Sequence, residues 1–304
     1  MAVTAARVLR DDLMFAESPR WHDGRLYVAD FYAKEVVAIG LDGERETIVS
    51  VPAQPSGFGW LPGGDLLVTS MRDATVLRFD GEEALPVATV TTSPVLNHMA
   101  VSGEGRAYVG GMPDLYTLLG PGSGAIATEV TLEPERLYLV EAGGGSTGGE
   151  ARVVAEALEF PNEIAITPDG RTLLIAETMA MRLTAFDIAS DGSLSGKRLW
   201  AQLSYLPDGF CLDADGCAWV AVPERGEDGF IGFLRVAEGG EILDRHPIEA
   251  HAIACALGGP EGNDLFMLEA DVVAVAEIER ASVRGNARVS VGKVEVPAAE
   301  HPDR

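Results

Sequence analysis

The chain has 304 residues, 47% hydrophobic, 23% charged and 7% aromatic, a globular balance long enough for one large domain or two ordinary ones. Its 47 Asp and Glu against 23 Lys and Arg give a net charge of −24, so its surface repels phosphate backbones and anionic headgroups and argues against nucleic-acid and membrane partners. Three scattered cysteines (Cys211, Cys217, Cys255) make neither a disulfide framework nor a zinc spacing.

In chain order, MAVTAARVLRDDLMF lacks a basic segment followed by a long apolar run, so no signal peptide is expected. No stretch of about twenty residues is apolar enough to span a bilayer, and the expectation is a soluble, cytoplasmic protein. A strand near Ala5–Leu9 is expected to pair with the C-terminal VRGNARVSVGKVEVPA. Between them one phrase recurs: a turn Gly, a short apolar or alternating strand, then a second strand closing in a turn. It begins at Gly24, Gly64, Gly105, Gly170, Gly216 and Gly262, at separations of 40, 41, 65, 46 and 46 residues. Helix-period segments are scarce, so each unit reads as a four-stranded blade. The fold class is all-β: a six-bladed β-propeller around a central tunnel, one domain over residues 1–304. Pairing of the two chain ends closes the ring and removes two open sheet edges. The long interval is an insertion in the third blade around 112–150. Within it PERLYLVEAGG reads as a strand of that blade, and LLGPGSGAIATEV as a surface loop or a lid.

Ahead of each Gly lies the segment that would form the innermost strand. Polar residues there would meet at one axis despite their distance in sequence: Glu17 in FAESPRW, Asn97 and His98 in VLNHMAV, Asn162 in FPNEIAI, Asp208 in LPDGFCL and His251 in AHAIACALGG. Each has a plainer reading. Asp and Asn beside Gly or Pro are turn formers, which describes Asp169 in TPDG and fits Asp208 taken alone; Glu17 beside Pro19 is able simply to cap a strand. Asn162 fits that reading less well, because FPN precedes a strand instead of closing a hairpin. Together, Glu, Asn and Asp are hard oxygen donors suited to Ca²⁺, Mg²⁺ or Mn²⁺, with Zn²⁺ also compatible. Three side-chain ligands would leave positions for water and substrate. Met99, Met112, Met179 and Met181 read as core filler or as lining of a substrate mouth, Trp21 and Trp60 as blade packing, and Cys211 and Cys255 as small buried hydrophobes.

FAESPRWHDGRLYVAD, VLNHMAV, FPNEIAITPDGRTLLIAET, YLPDGFCLDADGCAWVA and CALGGPEGNDLFMLEA, in matching order from about residue 12 to 270, resemble the gluconolactonase, regucalcin and luciferin-regenerating enzyme family. The resemblance implies a six-bladed propeller with one divalent metal ion, Ca²⁺ first, at the top of the tunnel. By matching motifs Glu17, Asn162 and Asp208 take the metal-ligand positions, and Asn97 a position near metal and substrate. It implies a metal-dependent lactonase acting on a small-molecule substrate, with Asp208 as catalytic base. Two departures bear on the substrate: His98 stands where the family commonly has Asp, and His251 and Ala252 where it has small hydroxyl residues. Asn97, His98 and His251 are therefore the expected substrate-binding residues. The alternatives are a phosphotriester (organophosphate) hydrolase using the same site and a non-catalytic, metal-binding regulatory propeller.

Overall fold

Short strands bounded by Gly- and Asp-bearing turns build hairpins, and hairpin sheets with apolar residues on both faces must stack face to face. The computed structural model of the chain describes residues 3–113, 132–142, 151–271 and 286–299. Strand β1 (Thr4–Leu13) opens the chain and is held over for the last sheet. The first blade is β2 (Ala16–His22), β3 (Arg25–Asp30), β4 (Glu35–Ile39) and β5 (Arg45–Ser50). The second is β6 (Pro55–Trp60), β7 (Leu66–Ser70), β8 (Thr75–Phe79) and β9 (Ala84–Thr89). The third is β10 (Val95–Val101), β11 (Arg106–Met112), β12 (Glu135–Glu141) and β13 (Arg152–Leu158). The fourth is β14 (Pro161–Ile166), β15 (Thr172–Glu177), β16 (Arg182–Ile188) and β17 (Leu194–Gln202). The fifth is β18 (Phe210–Leu212), β19 (Ala218–Val222), β20 (Gly232–Val236) and β21 (Ile242–Pro247). The sixth joins β22 (His251–Gly258), β23 (Asp264–Ala270) and β24 (Ala287–Lys293) to β1 as its outermost strand, antiparallel with Thr4 opposite Lys293 and Leu13 opposite Ala287.

The architecture is thus the expected six-bladed propeller, closed by pairing of the two ends of the chain. PERLYLVEAGG supplies β12, while LLGPGSGAIATEV, read as a loop or lid, lies outside the described residues. Turn chemistry sets the hairpins: the two-residue connection Asp23-Gly24 between β2 and β3 has both residues at positive φ (45° and 76°), the primed geometry that matches strand twist.

The apolar core is divided among the seams between blades. One cluster lies between blades one and six (Leu13, Val28, Phe266, Val289), another between blades two and three (Leu67, Val76, Val109, Tyr138), and a third between blades four and five (Leu174, Ala185, Trp200, Val220). The other three seams are filled the same way. Each seam buries side chains from two blades, so each blade depends on its neighbours and the ring on its closure. Trp21 packs into the seam of blades one and six, stacked on Phe266 at 5.2 Å, and Trp60 stacks on His22 at 3.9 Å, both as blade packing.

Candidate metal centre at one end of the tunnel

The innermost strands all run in the same direction, so their first residues share one end of the tunnel. In blades one, two, three, four and six the pairing of the innermost strand with its neighbour breaks register near that end. The breaks fall between Glu17 and Arg20, Pro55 and Phe58, Leu96 and Met99, Pro161 and Ile164, and Ala252 and Ala254. These bulges release Ser18, Ser56, Asn97, His98, Asn162 and Glu163 from the strand's two-sided alternation and re-aim them. Ser18 sits at φ 49°, in the left-handed region, within the first bulge. In blade five Asp208 and Gly209 precede β18, fixed by backbone bonds from Asp208 N–H to Ala221 O (3.0 Å) and from Gly209 N–H to Ile253 O (2.9 Å). The strands crowd the axis: a Cβ on Gly57 would lie 2.0 Å from Met99 N, and one on Gly209 2.3 Å from Ala254 Cβ.

Four of the expected residues meet there. Asn162 Nδ2 donates to Asp208 Oδ1 at 2.6 Å and to Thr178 Oγ1 at 3.3 Å, and the Thr178 hydroxyl in turn donates to Pro207 O at 2.8 Å. With its amide nitrogen so committed, Asn162 keeps Oδ1 buried and without a hydrogen-bond partner, and Glu17 Oε2 is in the same condition. His98 Nε2 lies 3.7 Å from Glu17 Oε2. Asn97, 3% exposed, stands at the edge of the group, donating from Nδ2 to Pro161 O at 3.2 Å and accepting from Ser56 Oγ at 3.3 Å. His251, at the start of β22, is half-buried and its Nδ1 is 2.7 Å from Pro223 O, a contact that points it at blade five's second strand rather than at the carboxylates.

The electrostatics are those of a site short of positive charge. Burial, then the charges of Asp208 and Glu163, hold the Glu17 carboxyl well above its usual range. Burial likewise raises Asp208 to about 7, although Asn162 donates to it. Glu163 behaves in the opposite way: burial opposes its charge, but Arg20 and His98 outweigh that and pull it down to about 2. Arg20 Nη2 is 2.7 Å from Glu163 Oε1, His98 Nδ1 is 3.3 Å from Glu163 Oε2, and Ser18 Oγ is 2.7 Å from the same ring nitrogen. Arg20, Glu163, His98 and Glu17 therefore form a continuous line of contacts along the tunnel, ending at the centre. Glu163, Ser18 and Arg20 were not among the sequence candidates. Glu163 was legible as a charged residue on an innermost strand one place after Asn162; Arg20 alternates with Glu17 only through the bulge, which the sequence does not announce.

The buried oxygens of Glu17 and Asn162, which accept no hydrogen bond, beside a carboxylate whose ionisation is suppressed, are what a hard divalent cation would satisfy, so Glu17, Asn162 and Asp208 fit such an ion. Among the described residues no group of three His, Cys, Asp or Glu side chains that could hold a metal is found, and this donor set, two carboxylates and an amide, has only two such residues. Around the same mouth Met71, Val95, Met112 and Phe160 form an apolar collar, with Phe31, Leu132 and Met179 packed on it. Met99 is fully buried and Met181 exposed, so of the four methionines considered only Met112 and Met179 belong to the collar. A cavity of about 660 Å³ opens at the other end, where the innermost strands finish, lined by Arg20, Trp60, Val101, Ile166, Cys211 and Leu257 among others. Its walls hold none of the unpartnered oxygens, and the polar cluster is the stronger guide to chemistry.

Fold and centre together define a closed six-bladed propeller with an acid-and-amide cluster at one mouth of its tunnel. Residues 15–271 match the family described as the SMP-30/gluconolactonase/LRE-like region. The chain belongs to that family, and membership supports a hydrolase-type function. Among curated proteins it is 28% identical to diisopropyl-fluorophosphatase of Loligo vulgaris over 194 residues, covering 60% of this chain and 59% of the squid protein. It is 21% identical to regucalcin of Xenopus laevis over 277 residues, covering 86% and 85% of the two chains. Among solved structures it resembles a calcium-binding protein, regucalcin, of Agrobacterium tumefaciens with a TM-score of 0.74 at 19% identity, covering 100% of this chain and 98% of that one. At that identity the structural likeness establishes the fold alone. Among the described residues no helix is long and apolar enough to cross a membrane.

Proposed function

We propose that the chain is a metal-dependent lactonase opening a small lactone, with Glu17, Asn162 and Asp208 as the ligands of one divalent ion, Ca²⁺ first. The observation that carries this reading is the pair of buried, unpartnered oxygens on Glu17 and Asn162 beside Asp208. A cation held there supplies Lewis-acid stabilisation of the negative charge that develops on the substrate's carbonyl oxygen. Asp208, the one ligand of the three that keeps partial contact with solvent, accepts a proton from the attacking water and returns it to the ring oxygen as the acyl C–O bond breaks, leaving a hydroxy acid. Glu17 and Asn162 hold the centre in place, Asn162 through its bonds to Asp208 and Thr178. Asn97 orients the substrate from the edge of the group. His98, 1% exposed, acts through Glu17 as a positioning residue, and His251 lies on the rim of blade six. The collar of Met71, Met112, Phe160 and Phe31 favours an apolar ring over one bearing many hydroxyls.

The test is proton release from sugar, aliphatic and aromatic lactones by chelator-stripped protein with Ca²⁺, Mg²⁺, Mn²⁺ or Zn²⁺ restored. Metal-restored turnover, lost in Asp208→Ala, supports the reading; wild-type turnover by Asp208→Ala overturns the assignment of the base. The identity to diisopropyl-fluorophosphatase favours one second reading, phosphotriester hydrolysis at the same centre, since both substrates present a polarised oxygen to the ion. Turnover of a fluorophosphate without lactone turnover would select it. Metal binding without either would select a regulatory propeller.

A further inference from the structure

Blades five and six approach each other closely because Gly209 has no Cβ to meet Ala254, and Gly209 N–H bonds directly to Ile253 O at 2.9 Å. Two residues beyond Gly209 and one beyond Ala254, this approach brings together Cys211 on β18 and Cys255 on β22, with their sulfurs 3.8 Å apart. Cys255 is buried, its thiol donating to Trp219 O at 3.1 Å. Cys211 is half-buried and lines the cavity at the end of the tunnel opposite the candidate centre, where a small oxidant reaches it from solvent.

We propose that Cys211 and Cys255 form a reversible disulfide, a redox-modification site that clips the seam between blades five and six. A disulfide needs its sulfurs at about 2.05 Å, so the side chains must close by roughly 1.7 Å, within the reach of small χ1 rotations on neighbouring strands. With a hydroperoxide as oxidant the chemistry balances in two steps. The Cys211 sulfur attacks the peroxide, the O–O bond breaks, and a sulfenic acid and one molecule of water or alcohol result. The Cys255 sulfur then displaces hydroxide from that sulfenic acid, which leaves as water with the thiol proton. Two thiols lose two electrons to the peroxide in total. The clip spans a segment that begins in the innermost strand of blade five, only three residues long, and ends in that of blade six. Cross-linking it restrains the unfolded chain across that seam. The site is independent of the lactonase reading, since neither cysteine belongs to the metal cluster.

The experiment treats the full-length protein with hydrogen peroxide, counts free thiols after denaturation, and maps peptides by mass spectrometry. The expected result is a fall from three titratable thiols to one, a mass loss of about 2 Da, a Cys211–Cys255 linked peptide, and recovery of all three thiols with dithiothreitol. A Cys217→Ser protein is expected to lose both of its thiols in the same way. The clipped form is expected to melt a few degrees above the reduced form. Oxygen adducts on Cys211 with Cys255 still free, a disulfide between two chains, or a linked form that melts at or below the reduced one would each overturn the proposal.

Discussion

Asp208→Asn replaces a carboxylate by an amide of the same shape, whose Oδ1 still accepts from Asn162 Nδ2. In the protein stripped of metal, burial raises Asp208 from 3.8 to about 7, so the folded state disfavours its charge. The sign follows from linkage. At pH below 3.8 the group is protonated in both states and costs nothing. As pH rises from there the unfolded chain ionises freely while the folded chain resists, and stability falls until the loss is complete above about 7. A rise of that size corresponds to about 4 kcal/mol. Partial solvent contact at the tunnel mouth screens some of it, which brings the expected penalty to about 2–4 kcal/mol. Chelator-treated Asp208→Asn should therefore be more stable than chelator-treated wild type by about 2–4 kcal/mol at pH 8, with the gap closing toward pH 4. Added Ca²⁺ should cancel or reverse the gap, since a ligand at about a thousand times its Kd stabilises the wild type by about 4.1 kcal/mol and the variant by little. Urea denaturation at pH 4, 6 and 8, with chelator and with Ca²⁺, measures all of this. Equal stabilities of the stripped proteins at pH 8, or equal gains from Ca²⁺ in both, would refute the argument that Asp208 is a buried charge awaiting a cation.

Three further outcomes are expected. Glu163→Gln removes the carboxylate set between Arg20 and His98 and should cost roughly 3–5 kcal/mol in a chemical denaturation, as for a broken buried ion pair; a loss under 1 kcal/mol would show the network to be incidental. Gly57→Ala, whose new Cβ would meet Met99 N at 2.0 Å, should destabilise the ring by about 1–3 kcal/mol and lower its melting temperature, whereas Gly63→Ala, with open space around it, should change little. Burial opposes the charge on Glu177, but Arg182, Thr184 and the Glu159 N–H outweigh it and lower its pKa from 4.5. Its stabilisation is present above 4.5 and is lost as pH falls below it, so Glu177→Gln should flatten the acid limb of the stability profile while costing stability at pH 7.

The sequence by itself determined the ring. Six turn-Gly phrases, 40 to 46 residues apart save for one interval of 65 that carries an insertion, are each too short to bury their own faces and require stacked blades, and the strand near Ala5–Leu9, lacking a hairpin partner of its own, closes the ring on the C-terminal strand. It also determined which segments are innermost, because Glu17, Asn97, Asn162 and Asp208 each interrupt an otherwise apolar run ahead of the repeated Gly. What those side chains do once inside was decided by tertiary structure. The bulges at Glu17–Arg20, Leu96–Met99 and Pro161–Ile164 depend on pairing with a second strand, and they aim Glu163 and His98 at Arg20 and Ser18. His98 and His251 look alike in sequence, each a histidine on an innermost strand. The first is buried against two carboxylates, and the second sits at the start of its strand against a backbone carbonyl. The nearness of Cys211 to Cys255, 44 residues apart, was likewise decided by the ring, because the missing Cβ at Gly209 matters only where blade six comes around to meet it.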